Sequence, residues 1–474
     1  MSAQSDAQED EELEFIVLDN RDGIEDLVDA EESADEYLIA DVIPETYDQQ
    51  LQRLFFDYRE AVLASMFTEA DTLAKQIVEL SIRVNGLDSR KSATALTNLA
   101  VAQHGMSEYQ SAILNYSAAI GIIERIESRL DSGLINPLRG LGAAHFASGR
   151  PDLAKNAYDR AVHISHVNDG PHNLDQIETL LSLTETYLAA GETDEAVDIQ
   201  KRIFYLQARN IESNSIDMIP ALETRASWQH RMSLYEQERY TLRRIISVVE
   251  DDKGKKSLEL IGPLTDLANS YLSNVYIGMP AKVQPSVSNG EPYLKRAIRI
   301  ADRNPDATWQ NQVDTKIELG DYYILTDRAG RAHSLYRDAW DILSEDESLL
   351  EIRASRLEAG IILRDIFVPN KFDDSATIPT KEDPAGYLEG AISFSYSVST
   401  RGRATNVRLI EADPTGLDSL YKRIGRELRF IVYRPRLVDG KAVRSDNLTF
   451  SHNFFYRPEK DQETKMVTEN AASD

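Results

Sequence analysis

A helical pattern that returns every 42 residues constrains this chain more than any other feature. The motif Ala-x3-Tyr-x2-Ala occurs at Ala112, Tyr116 and Ala119, again at Ala154, Tyr158 and Ala161, and once more at Ala332, Tyr336 and Ala339. The first two copies are 42 residues apart, and the same step reaches back to Ala70 and forward to Ala196. Each copy follows a partner segment: Leu96, Leu99 and Ala100; Leu138, Leu141 and Gly142; Leu180, Leu183 and Tyr187; Leu319, Gly320 and Tyr323. Small residues let two helices approach closely, and aromatic rings fill the space beside them. Units of this kind bury a face only against their neighbours, so the chain must stack them.

From about residue 47 to 366, Gly and Pro are sparse and apolar residues recur at i, i+3, i+4 and i+7. Six to seven helical pairs are expected there, ended by a capping helix from Leu349 to about Asp365. At position 238 the periodic alanine is replaced by Glu238, so the pair around Leu222–Val249 reads as degenerate, with Trp228 and Tyr235 as its core aromatics. A Pro/Gly/Ser-rich loop at 278–290 breaks the following pair. The pairs at 94–123, 136–165, 178–207 and 314–343 resemble the tetratricopeptide repeat in a form longer than its usual 34 residues. That resemblance implies a groove lined by first helices, here Thr97, Asn98, Val101, His104, Arg139, Ala143, Phe146, Glu185 and Leu188, and a protein or peptide partner.

Near residue 367 the helical period stops, and 367–384 reads as a linker. A period of two then appears. Ile392, Phe394, Tyr396 and Val398 alternate with serines; Arg401-Gly402-Arg403 forms a turn; Thr405, Val407 and Leu409 continue a second strand. A helix follows with Leu417, Leu420, Tyr421, Ile424 and Leu428 as its stripe and Asp418 as its expected cap. The last strand places Leu448, Phe450, His452 and Phe454 on one face and Thr449, Ser451 and Phe455 on the other. The order ββαβ over 385–458, with Gly390, Arg401-Gly402-Arg403, Tyr433-Arg434-Pro435, Asp439-Gly440-Lys441 and Phe450-x3-Phe454, resembles the C-terminal domain of TonB-type energy transducers. The fold class expected is mainly α, a tetratricopeptide-like helical-repeat solenoid followed by a small α+β domain. The TonB resemblance implies that the last strand, at Asn447, Leu448, Phe450, His452 and Phe454, is a sheet edge pairing with an extended peptide of an outer-membrane transporter. The transducers' N-terminal membrane anchor and Pro-rich spacer are missing here, which sets force transmission by this chain in question.

Charge is uneven. The total is −27, and residues 1–46 supply 17 Asp plus Glu against one Arg. Self-repulsion predicts a disordered head, with Glu14-Phe-Ile-Val-Leu-Asp19 and Tyr37-Leu-Ile-Ala-Asp-Val-Ile43 as short apolar runs. One reading is a solvated tail whose apolar runs dock on the following helices; another is a strand-forming peptide, and for the 14–18 run that includes docking on the 447–455 edge, in the same copy or a second one. Residues 459–474 are expected to be a disordered tail. A polyanion repels nucleic acid, and no run is long and apolar enough to span a bilayer as a helix.

Several chemistries fall away. Zero cysteines exclude disulfides, thiolate metal sites and a cysteine nucleophile. Gly140-Leu-Gly142-Ala-Ala-His145 lacks the third glycine of a dinucleotide fingerprint, and Gly254-Lys-Lys-Ser257 lacks the first glycine of a phosphate loop. His163, His166 and His172 cluster near a helix end and read as solvated surface rather than metal ligands, and neither His-Glu-x-x-His nor Gly-x-Ser-x-Gly occurs. The chain therefore reads as non-enzymatic, without cofactor or metal: an envelope adaptor in the periplasm whose leader has been trimmed, with homo-oligomerisation open. Two alternatives stand beside it. One is a cytosolic repeat scaffold capped by the β domain. The other is a component of TonB-dependent energy transduction acting through an anchored partner.

Overall fold

The computed structural model describes residues 46–273, 289–366, 368 and 387–456. The acidic head to residue 45, most of the 278–290 loop, nearly all of the 367–384 linker and the 459–474 tail lie outside the described residues. The chain divides into two compact units, the first ending at Ser213 and the second starting at Asn214.

The first unit holds four antiparallel pairs: α1 (Tyr47–Leu63) with α2 (Phe67–Asn85), α3 (Arg90–Gly105) with α4 (Tyr109–Ile126), α5 (Ile135–Ala147) with α6 (Pro151–Asp169), and α7 (Gln176–Ala189) with α8 (Thr193–Ala208). The second holds three: α9 (Ile219–Arg231) with α10 (Tyr235–Lys253), α11 (Ile261–Asn269) with α12 (Glu291–Arg303), and α13 (Trp309–Leu325) with α14 (Ala329–Ile342).

Local chemistry repeats with the 42-residue step. The turns inside the first five pairs have a left-handed residue at Ser65, Ser107, Gly149, Gly191 and Ser233, each 42 after the last. There the chain reverses through a Schellman-like closure; for example, Ser107 N donates to His104 O and Glu108 N to Gln103 O. Between pairs, a short polar side chain accepts a backbone N–H two residues on. Asp131, Asn173, Ser215 and Ser257 do this for Gly133, Asp175, Asp217 and Glu259. The periodic alanines Ala70, Ala112, Ala154 and Ala196 are all fully buried. The two glycines of Gly140-Leu-Gly142 are a packing device. A Cβ at Gly140 would come within 2.3 Å of the Tyr116 ring, and one at Gly142 within 2.7 Å of Tyr158. The helix α5 is thus clasped by a tyrosine from α4 and one from α6, each such buried ring contributing roughly 1.5–3 kcal/mol.

The expected capping helix to Asp365 does not form. After α15 (Leu350–Arg353) the backbone widens into a π turn over Ala354–Glu358, and β1 (Ile361–Arg364) follows. Gly360 and the β-branched pair Ile361-Ile362 favour extension, and β1 finds a partner in β4 (Val432–Arg434).

A three-stranded antiparallel sheet comes next, in the order β3-β2-β7: β2 is Leu388–Val398, β3 Ala404–Asp413 and β7 Ser445–Tyr456. Helix α16 (Asp418–Glu427) covers one face through Leu420, Tyr421 and Ile424, packed with Ile392, Phe394, Tyr396 and Phe454. Asp418 does not cap it: Leu417 occupies the cap position without a side-chain bond, and Asp418 lies in the first turn, where its charge suits the helix dipole. β4 (Val432–Arg434) pairs with β1, and β5 (Leu437–Val438) with β6 (Lys441–Ala442) about the Asp439-Gly440 turn. The β module does not stand apart from the repeats. Val432 and Leu437 lie in one buried cluster with Val313, Ile317, Tyr322, Tyr336 and Leu343 of the last helix pair.

Candidate functional site

The sequence points to two surfaces, the last strand and the first helices. The strand β7 pairs with β2 and, among the described residues, with no other strand. Its register is unbroken from Leu388↔Tyr456 to Tyr396↔Leu448. The single irregularity comes earlier, where Asn447 takes a left-handed φ of 59°. Phe450, His452, Phe454 and Tyr456 form a row on the α16 side, with ring centroids 6.2, 6.5 and 6.1 Å apart. Phe454 is buried against Tyr421, while Leu448, Phe450 and His452 are half-buried. These side chains therefore face the module's interior. What the edge presents outward is backbone, together with the polar alternate face of Thr449, Ser451 and Asn453. Ser451 Oγ lies 3.0 Å from Ser393 Oγ across the ladder.

The neighbouring edge differs. Among the described residues β3 is also paired on one side only, but its register with β2 slips between Ser393 and Phe394 and again between Ser395 and Ser397. Those two bulges spoil the even spacing of free N–H and C=O groups that an incoming strand needs.

The module is held to the last helix pair by the residues that carry its sequence motifs. Arg434 is buried and donates Nε to Asp321 Oδ1 at 2.8 Å, while its Nη2 donates to Asp321 Oδ2. Tyr336 OH donates to the same Asp321 Oδ1 at 2.8 Å. Burial pushes the Tyr336 hydroxyl well above its ordinary pKa, with the adjacent Asp321 charge adding to it. Arg434 Nη1 donates to the carbonyl of Arg356 at 3.0 Å. Gly402 has a φ of 74° and sits where a Cβ would be 2.0 Å from Tyr433 O and 3.0 Å from Ile324 of α13. Thr400 O accepts from or faces His333 Nε2 at 2.9 Å. Two of the motifs, Gly402 and Arg434-Pro435, are thus docking chemistry.

On the first helices, α3 touches α5 and α5 touches α7, so residues one 42-residue step apart adjoin. Val101, Ala143 and Glu185 form one such row, and His104, Phe146 and Leu188 another. All are half-buried except Phe146, which is 36% exposed. Arg139 is tied to Glu178 of α7 by an ion pair. Burial lowers the His104 pKa, and its ring meets Tyr109 edge-on at 5.3 Å. Asn98 and Thr97 do not belong to an exposed row. Both are buried; Thr97 Oγ1 donates to Ala93 O, and the Asn98 carbonyl accepts from Tyr58 OH at 2.8 Å.

A third place was marked in the sequence only as an irregularity. A cavity of about 400 Å³ opens among α9, α10 and α11, bounded by Glu223, His230, Glu238 and Asp266. Glu238 stands at the alanine position and is 5% exposed; its Oε1 is 3.0 Å from His230 Nδ1 and its Oε2 is buried without a partner. Burial raises the pKa of Glu238, with His230 opposing, and burial raises that of Asp266, with Glu223 adding to it. The signal that could have found this cavity is the missing alanine. Tyr235, expected in the core of this pair, is only half-buried, whereas Trp228 is buried. Among the described residues no group of His, Cys, Asp and Glu is arranged to hold a metal ion.

Residues 133–204, which span α5 to α8, match the family model described as tetratricopeptide repeat. A search of curated protein sequences finds no match. Similar solved structures include the C-terminal part of a TPR repeat-containing protein from Cytophaga hutchinsonii (10% identity, TM-score 0.39, covering 64% of this chain and 98% of that one). Others are a tetratricopeptide repeat protein from Parabacteroides merdae (14%, TM-score 0.33, covering 64% and 97%) and a signal-transduction ATPase with a tetratricopeptide repeat sensor from Pyrococcus horikoshii (14%, TM-score 0.39, covering 65% and 45%).

Proposed function

We propose that the chain is a non-catalytic protein-binding scaffold whose repeat helices hold one partner while β7 receives an extended peptide from another by strand addition. Tetratricopeptide repeats typically mediate protein–protein contacts. The observation that carries the second half is the run Leu448–Tyr456: regular, paired on one side among the described residues, and free of the Lys, Pro or bulge with which sheet edges usually discourage pairing. On the TonB-like reading the incoming strand is the N-terminal segment of an outer-membrane transporter, and the protein works in the periplasm. The order ββαβ with its last strand at the edge supports that reading.

The capping role of the β module has its own support, since Val432 and Leu437 close the core of the last helix pair. The two roles are compatible: the same module ends the stack and displays an edge. A photo-crosslinking side chain at Thr449 or Ser451, used in intact cells, tests the proposal. Capture of a transporter through its N-terminal segment is the expected result. Capture of cytosolic proteins alone removes the envelope assignment. Crosslinks from Phe146 or Glu185 with none from β7 remove strand addition.

A further inference from the structure

The chain is strongly acidic, yet residues 387–456 hold eleven Lys plus Arg against seven Asp plus Glu. Three of those cations lie together. A groove of about 820 Å³ runs between α16 and β3, lined below by Phe394, Val407 and Leu409, along the helix by Lys422 and Arg426, and by Arg429 of the 3-10 turn that follows it. Lys422 and Arg426, four residues apart, share one side of α16, and Arg429 lines the same groove beyond the helix end. None of them has a carboxylate partner among the described residues; the one polar bond here is Arg426 Nε donating to Lys422 O at 3.3 Å. Asp418 is the only acid in the lining. The floor is open as well, with Leu409 47% exposed.

An apolar floor beside an uncompensated cationic wall is complementary to an apolar run flanked by acids. A bare polyphosphate would satisfy the wall but leave the floor wet, whereas this chain carries the fuller complement. Glu11, Glu12, Glu14 and Asp19 bracket Phe15-Ile16-Val17-Leu18, within a head of 17 acids and one Arg. We infer that residues 11–19 of this chain dock in the α16–β3 groove, their apolar side chains on Phe394, Val407 and Leu409 and their carboxylates on Lys422, Arg426 and Arg429. Contact is through side chains, because the two bulges of β3 make its edge a poor strand template. The groove lies on the β3 side of the sheet and β7 on the other, so this site is separate from the peptide edge proposed above.

The absence of native cysteine makes the test clean. In the full chain, Val17→Cys is combined with Leu409→Cys, and disulfide formation is followed in dilute solution, with helical circular dichroism confirming the fold. Rapid closure is expected. It should slow at least tenfold when Lys422, Arg426 and Arg429 are all changed to Glu, and also in high salt, which screens surface charge. Closure indifferent to charge reversal and salt would be random collision and would overturn the docking. Faster closure of Val17→Cys with Thr449→Cys than with Leu409→Cys would overturn it too, because the head would then belong on β7.

Discussion

In the pair α5–α6 the ring of Tyr158 lies over Gly142, and in α13–α14 the ring of Tyr336 lies over Gly320, where a Cβ would meet the ring at 2.7 and 2.4 Å. The contact is the same and the next residue is not. Gly142 is followed by the half-buried Ala143, in a row of first-helix residues beside Val101 and Glu185. Gly320 is followed by Asp321, whose carboxylate takes the Tyr336 hydroxyl and the Arg434 guanidinium together. On the same helical frame, a half-buried alanine at one position and an aspartate at the equivalent one make the difference between an ordinary first-helix residue and a clamp for another module. Repeat interiors fix geometry through small residues and rings; the residue beside them is free to decide what the geometry holds.

The strongest way to break this contrast is Asp321→Ala. It strands a buried guanidinium and should cost about 3–5 kcal/mol. All three tryptophans, Trp228, Trp309 and Trp340, lie in the second unit, so denaturant melts followed by tryptophan fluorescence read that unit alone. Adding Arg434→Met to Asp321→Ala should recover a large part of the loss, since no charge is then left unpaired. An additive double mutant would show that the two residues are uncoupled.

Gly142→Ala and Gly320→Ala sharpen the other half of the comparison. Each forces a methyl group into a tyrosine ring and should cost about 1–3 kcal/mol. Similar losses, measured by hydrogen exchange of the two pairs, would establish a shared frame. A loss at Gly320 alone would make the clamp, not the frame, responsible.

Acid should weaken the contact between α12 and the last pair in a particular window. Burial would raise the Glu291 pKa, but hydrogen bonds from Lys295, Tyr323 and Arg328 hold it down to about 2. A carboxylate lowered on folding contributes stability that is complete above its unfolded pKa of about 4.3 and is lost as pH falls toward 2. Glu291→Gln should lower the melting midpoint at pH 7 and leave it unchanged near pH 2.

The smallest effect is expected at Glu238, where a buried acid replaces the repeat alanine. Its pKa is raised by burial, so folding favours its protonated form and its charge opposes folding at neutral pH. Glu238→Gln should stabilise by up to about 1 kcal/mol at pH 7–8, with the gain shrinking as pH approaches about 4.3.

Period and composition made the helical pairs readable, because each alanine and tyrosine must recur where the packing recurs. The strands β2, β3 and β7 were legible from alternation. The end of the repeats was not. Leu349–Asp365 has a helical pattern, yet Ile361–Arg364 becomes a strand because β4 stands beside it, a long-range partner that local periodicity does not encode. The same blindness hid the clamp: Asp321 and Arg434 are 113 residues apart, and each alone reads as an ordinary surface charge. Asn98 was misplaced for a related reason. Helical spacing gave its row on α3, but a second face of that helix is covered by α1 through Tyr58.

The openness of β7 can be measured without knowing its partner. Residue-resolved hydrogen exchange along Leu448–Tyr456 in the free full-length chain should alternate, slow where the amide bonds to β2 and fast where it points outward. Uniformly slow exchange through that strand would mean that something already covers the edge, and strand addition would be contradicted.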